Sequence, residues 1–520
     1  MLRTRPAIVF AALSTMFCGP GRVVAEDFVG QNVQQVGVDE GRAVDAWYLS
    51  ESRSALLEES ADEGFETEPA CPAPVAKSGG NPCATAIKPV FYNNDFSYLN
   101  APDYHGCCFG DCWKLMPVGR CGEHGTLDIG GQLRWRYHHE IGMGQDVSGP
   151  GALRFEDTVH DILLSRLRLY GNWRPSEAMR IYVEGIFADV TDDDGTYLPR
   201  PIDRNHGDFL NGFIDYTFDE GRTIRVGRQE LIYGAERLIS PLDWANTRRT
   251  FEGVKLMVEE GDWAIDGFYT HFVPVIPNRL DEADYDQPFY GVYATYNGQC
   301  NDTLDLYYIG YDNQDAQAPV TGDFSLHTLG SRLYGSRGDW LYEVEGGLQF
   351  GRQSGLALDH DAGFATGGIG RKFPEHAWAP TIWFYYDYAS GNFPGGDFNR
   401  FNQLFPLAHK YFGFIDAVQR SNIESPNVLV TMKPHKKTDL LMWYWYFLAN
   451  SSTDIVPSIG GTPAQSTTRT HFGDEFDLIA KYTIGPRSNV LFGYSHFWRG
   501  NKILAPQDAD FFYTQWEMNF

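Results

Sequence analysis

From Thr126 to Phe520 polar and apolar side chains alternate in runs of about ten residues, and the connections between runs alternate between short and long. The first run is Thr126–Tyr137. Leu127, Ile129, Leu133, Trp135 and Tyr137 share one parity; Asp128, Gln132, Arg134 and Arg136 share the other. A period of two places these sets on opposite faces of a β-strand, one face apolar and one wet. The pattern returns with Leu163, Leu167 and Leu169 against Arg166 and Arg168, and with Val344, Leu348 and Phe350 against Glu343, Glu345 and Gln349. It returns again with Phe476, Leu478, Ala480 and Tyr482 against Asp477 and Lys481. The run Leu440–Leu448 is apolar on both parities and does not declare a face.

Short turns fall near 173–177, 219–221, 259–261, 297–302, 335–338, 434–437 and 485–488. Between them lie long loops near 139–159, 190–210, 230–250, 271–287, 312–324, 390–425, 450–470 and 499–509. A soluble sandwich has no reason to sort its connections in this way. A membrane barrel does, with short periplasmic turns and long external loops. The expectation is an all-β, transmembrane, antiparallel up-and-down barrel of about 18 strands. It must close, because an unpaired strand edge in lipid strands backbone polar groups. The last strand ends Phe512, Trp516, Met518 and Phe520 on one face, which resembles the terminal signal read by the barrel-assembly machinery.

Composition agrees where it is needed. Aromatics are 15% of 520 residues, glycines number 55, and no run of about 18 apolar residues follows the N-terminus, which excludes a helical bundle in the membrane. The net charge of −26 argues against a nucleic-acid partner. Twelve acidic residues fall between Glu26 and Glu68 alone, so total charge says little about a lumen.

The chain divides into four parts. Residues 1–25 have the form of a secretory signal peptide: Arg3 and Arg5, an apolar run, then Val23-Val24-Ala25. Residues 26–70 read as an acidic, disordered arm. Residues 71–125 are cysteine-rich, a periplasmic or plug-like segment with Cys71, Cys83, Cys107, Cys108, Cys112 and Cys121. In an oxidising compartment these read first as disulfides, of undetermined connectivity. Their spacing matches no zinc pattern, so no metal and no cofactor is expected. Residues 126–520 are the barrel, placed in the outer membrane against its lipid.

One stretch stands out: Arg222–Leu256 runs strand, loop, strand and carries Arg225, Arg228, Arg237, Arg248 and Arg249 with Asp243 and Trp244. Its words Gly227-Arg-Gln-Glu-Leu-Ile-Tyr-Gly234, Arg237-Leu-Ile-Ser-Pro-Leu-Asp-Trp244 and Arg249-Thr-Phe-Glu-Gly-Val254 resemble the signature of the alginate export family. So do Tyr386-Asp-Tyr-Ala-Ser-Gly391, Phe401-Asn-Gln-Leu-Phe-Pro406, Tyr411-Phe-Gly413 and Asn422-Ile423. The resemblance implies an 18-stranded barrel whose arginine-rich constriction passes an anionic polysaccharide.

Arginine suits that task, being always charged and able to hold a carboxylate through two parallel bonds. The inward candidates are Arg134, Arg136, Arg166, Arg168, Arg225, Arg332 and Lys481 by alternation, with Arg228, Arg237, Arg248 and Arg249 from the motif. Each has a blander role as a structural ion pair, with Asp128, Glu184, Asp215, Glu230, Glu343, Glu345, Asp387 and Asp477 as partners. The expected activity is passive, anion-selective passage of an acidic, alginate-like polysaccharide or its fragments. A porin for small carboxylates or other solutes is the alternative in the same architecture. An outer-membrane enzyme or surface adhesion protein is a third; the chain shows no serine elbow and no His-Glu-x-x-His, so no catalytic residue is named. The N-terminal segment is a candidate contact for periplasmic partners. Loop 390–425 is read either as a lid folded into the lumen or as an external cap.

Overall fold

Eighteen antiparallel strands form the wall of the computed structural model, which describes residues 81–520 apart from 103, 107, 148–153, 193–194, 299–301, 315–321 and 460. The leader, the acidic arm and Cys71 lie outside the described residues, as does Cys107. The strands are β1 (Thr126–Met143), β2 (Arg154–Ser176), β3 (Met179–Asp192), β4 (Asn205–Asp219), β5 (Arg222–Gln229) and β6 (Thr250–Glu260). Next come β7 (Trp263–Val273), β8 (Pro288–Asn297), β9 (Asp302–Asn313), β10 (Phe324–Arg337), β11 (Trp340–Gln353) and β12 (Leu358–Lys372). The last six are β13 (Thr381–Ala389), β14 (Ile423–His435), β15 (Thr438–Leu448), β16 (His471–Gly485), β17 (Ser488–Arg499) and β18 (Ala509–Asn519). Each pairs with its sequence neighbour, and β18 pairs with β1 from Asp510↔Ile141 to Asn519↔Gln132, which closes the wall.

Alternation sets what each face meets. Trp135, Leu163, Val183, Val226 and Phe384 are exposed on the outside, and Leu348 keeps 69% of its surface. Apolar exposure spread round a whole wall requires lipid as its solvent. The partners of these residues in the alternation point inward and are buried.

The strands reach further toward the long loops than expected. β1 runs on to Met143 and β2 begins at Arg154, both inside the loop expected at 139–159, so His138 and His139 lie within β1. Outward positions at this level are polar: His139 Nδ1 sits 2.8 Å from Asp161. The hydropathy signal therefore ends before the strand does. Two connections escaped the sequence reading: the tight 354–357 on the long-loop side and 373–380 on the short-turn side. Between them β12 is rich in glycine on both faces. Gly370 and Gly368 lie under the rings of Trp383 and Tyr385, where an added Cβ would sit 2.4 and 2.2 Å from ring carbons.

The lumen is filled by protein. Residues 230–249 and 390–422 fold inward and join through a parallel bridge between Ile239 and Phe405. Phe401, Phe412, Phe414, Ile415 and Val418 are buried in one cluster with the wall residues Trp383, Trp445, Phe447 and Phe511. This settles the faces of β15: Tyr444 looks out, while Leu441, Trp443, Trp445 and Phe447 look in at the loop. From the other end Ala86, Val90, Phe91, Tyr92 and Phe96 pack on Tyr170, Tyr182 and Phe213 of the inner wall. A disulfide joins Cys83 and Cys108.

Candidate conduction pathway

β1 and β2 set Arg134 directly opposite Arg166 across the ladder. Like charges in that position repel unless something is placed between them and beyond them. The tip of loop 230–249 supplies it. Arg134 donates to the carbonyls of Asp243 at 2.8 Å and Ala245 at 2.9 Å. Arg166 donates to Asp243 Oδ1 at 3.0 Å and to the Ala245 carbonyl at 3.1 Å. Arg136 donates to the Trp244 carbonyl at 2.8 Å, with its guanidinium 3.7 Å over the Trp244 ring. His409 also stacks on that indole, 3.6 Å between centroids. Burial alone would raise the Asp243 carboxyl, but Arg248, then Arg166 and Arg134, outweigh it and hold it well below the usual carboxylate range.

Arg248 donates to both Glu230 and Asp243. Burial would lower its guanidinium; those two carboxylates reverse the effect and raise it. Arg249 donates to the Ser240 and Pro406 carbonyls at 3.3 and 3.2 Å, and burial pulls it down to about 10. Arg168 pairs with Glu184 at 2.6 Å and Glu230 at 3.7 Å. Arg225 pairs with Asp215 at 2.7 Å. Arg237, at the root of the loop, crosses to Glu343 at 2.6 Å and Glu345 at 2.7 Å, and Arg332 meets Glu343 at 2.7 Å. Most of the motif's guanidinium groups are thus held by carboxylates or carbonyls.

Three residues stand elsewhere than expected. Arg228 shares the parity of exposed Val226, so it lies on the outer face, where it meets Glu252 at 3.3 Å and donates to the Asp281 carbonyl at 2.9 Å. Arg225 and Arg228 are three apart and cannot share a strand face. Asp128 takes bonds from Asn172 at 2.8 Å and the Leu115 amide at 2.7 Å, with no arginine. Asp477 is fully buried beside Glu475, whose Oε1 accepts the Ile415 amide at 2.8 Å, and among the described residues no arginine pairs with it. Asp387 does pair with an arginine, Arg420 at 3.0 Å. Sequence reasoning missed Arg420 because an in-folded loop has no period. It also passed over Arg180 and Arg154; the parity of Arg180 with Tyr182 and Glu184 was sufficient to find it.

A cavity of about 70 Å³ remains between the loop tip, the 86–91 segment and the wall. Arg134, Lys481, Glu517, Trp244, Tyr513 and Phe91 line it. Among the described residues no group of His, Cys, Asp and Glu is placed to hold a metal ion.

A closed wall with an apolar outer face and a cation-lined interior defines an outer-membrane barrel of the porin-like class. Residues 126–514 match the family model described as alginate export, and the chain belongs to that family. No curated protein matches it in sequence. Its fold is similar to that of Pseudomonas aeruginosa OpdK with vanillate, at 13% identity and TM-score 0.52, covering 76% of this chain and 98% of that one. It is similar to Pseudomonas aeruginosa OccK8 (OprE) at 12% identity and TM-score 0.52, with the same coverage of 76% and 98%. Family and fold together mark the molecule as an outer-membrane channel and not an enzyme.

Proposed function

We propose that this channel passes anions selectively, with an acidic, alginate-like polysaccharide or its fragments as cargo. The observation that carries the reading is the surplus of cations round the tip of loop 230–249. Arg134, Arg136, Arg166, Arg168, Arg248 and Lys481 gather there with four carboxylates, Asp243, Glu230, Glu184 and Glu517. Arg134 and Arg136 spend donors on backbone carbonyls of the loop. An incoming carboxylate adds a full negative charge and can take two parallel bonds from one guanidinium, neither of which a neutral carbonyl offers, so it can replace them. Several such sites in series bind weakly enough for the cargo to leave.

The small size of the cavity, about 70 Å³, favours a second reading, a porin for small carboxylates. The same experiment separates the two. The purified barrel is reconstituted in a planar bilayer, and its reversal potential is measured in a salt gradient. Chloride is expected to permeate ahead of potassium, with block by acidic oligosaccharides that lengthens with chain length. Block by small acids alone selects the porin, and cation selectivity overturns both. Export through the leader at 1–25 and recognition of the strand ending at Phe520 by the assembly machinery belong to this reading.

A further inference from the structure

The pathway cations have a second occupant, which comes from the N-terminal side. Pro89 lends its carbonyl to Arg248 at 3.1 Å. Tyr92 lends its carbonyl to Arg180, and its hydroxyl donates to the Glu230 carbonyl. The Arg168 guanidinium lies 3.9 Å over the Phe91 ring, and that of Arg225 lies 4.3 Å over the Tyr92 ring. Phe91 sits 5.6 Å from Tyr170, and Tyr92 sits edge-on to Phe213 at 5.1 Å. One short segment thus covers four inward arginines, and it does so with carbonyls and π-faces, without a carboxylate.

The chain beyond it is fastened where the short turns lie. Arg487, in the turn between β16 and β17, pairs with Asp111 at 2.6 Å. Lys114 donates to the Phe520 carbonyl at 3.2 Å. The Cys83–Cys108 bond closes the chain on either side of the inserted part, across a separation of 25 residues. The segment is therefore inserted into the lumen and anchored at the mouth through Asp111 and Lys114, with its N-terminal side tied to the same place by the disulfide.

We propose that residues 86–96 are an internal plug of the anion pathway, seated on its arginines at rest and displaced when the channel conducts. This rests on the anion-pathway reading above. Neutral ligands on a cation are the ones an anion can outcompete. A buried ion pair would resist displacement, because parting it leaves an uncompensated charge. The disulfide keeps a displaced plug tethered beside the mouth, so it can return.

The test uses single-channel recording of the full chain and two variants. In the first, Phe91→Ala with Tyr92→Ala removes the two rings. In the second, a protease site inserted between His105 and Gly106, both exposed, lets the chain be nicked while Cys83–Cys108 still holds the fragment. The double variant is expected to conduct several-fold more than wild type. The nicked channel is expected to open to the same level only after a reductant releases the fragment. Closure of the wall is checked by heat-modifiable electrophoretic mobility, and the nicked chain, which folds before it is cut, stands if the double variant does not fold. Unchanged conductance in the nicked, reduced channel overturns the plug. The reversal potential keeps the two ideas apart: a larger, cation-selective conductance retains the plug and removes the anion pathway, whereas an unchanged, anion-selective one does the opposite.

Discussion

Arg237 shows how a single residue fastens a loop to a distant wall. Its two terminal nitrogens reach Glu343 at 2.6 and 2.9 Å, and one also reaches Glu345 at 2.7 Å. All three residues are buried, and Arg332 is the other cation on Glu343. Replacing Arg237 by methionine keeps bulk but leaves two buried carboxylates short of a partner. A loss of about 3–5 kcal/mol is expected, the usual range for breaking a buried pair. Urea unfolding of the detergent-solubilised barrel measures it, and Glu345→Gln in the same background should recover part. An unshifted midpoint would mean that the pair holds nothing. Asp281, in the loop 274–287, makes a pH-dependent counterpart. Burial, with Asp208 beside it, pushes its carboxyl up to about 7 against the opposing Ile276 amide. A raised carboxyl favours the protonated form in the folded state, so its contribution is full below the ordinary value of about 4 and is lost as pH rises through about 7. Amide exchange across 274–287, corrected for intrinsic rates, should therefore quicken between about pH 5 and about pH 8. Asp281→Asn should flatten that change; if the two profiles coincide, another group controls the loop.

At the scale of elements, two external loops do the work of a core. Loop 390–422 begins and ends at one place, since the Asn422 amide donates to the Ser390 carbonyl at 3.1 Å. Everything between is inserted, apart from the exposed tip at Phe393–Asp397. Its aromatic run meets Trp443, Trp445 and Phe447, which is why β15 is apolar on both faces: lipid on one side, loop on the other. Excision of Gly395–Ala417 leaves ends that can be rejoined. It should raise single-channel conductance and shorten closed times, and conductance and gating identical to wild type would return the loop to the role of a passive filling. The parallel bridge between Ile239 and Phe405 ties this loop to the arginine loop, so the same excision should also loosen Arg249, which donates to the Pro406 carbonyl.

At the scale of the whole molecule, the wall was legible in the sequence and the lumen was not. Lipid demands an apolar residue at every second position and a closed ladder, and both demands leave local marks: the alternation of Leu127 to Tyr137, the turn spacing, and the last strand with Phe512, Trp516, Met518 and Phe520 on one face. The marks fail where chemistry replaces apolar bulk, as at the glycines of β12 and the polar rim above His139. Parity was sufficient to tell Arg225 from Arg228, but the shared motif placed both inward. Which carboxylate meets which arginine carries no local signature, because Arg237 and Glu343 are 106 residues apart and meet only after the loop turns inward. So the sequence by itself determined a membrane-spanning barrel and most of its inward cations. Only the tertiary structure decided that the arginine stretch, loop 390–422 and the segment round Phe91 share one interior, since that depends on contacts between segments with no common period.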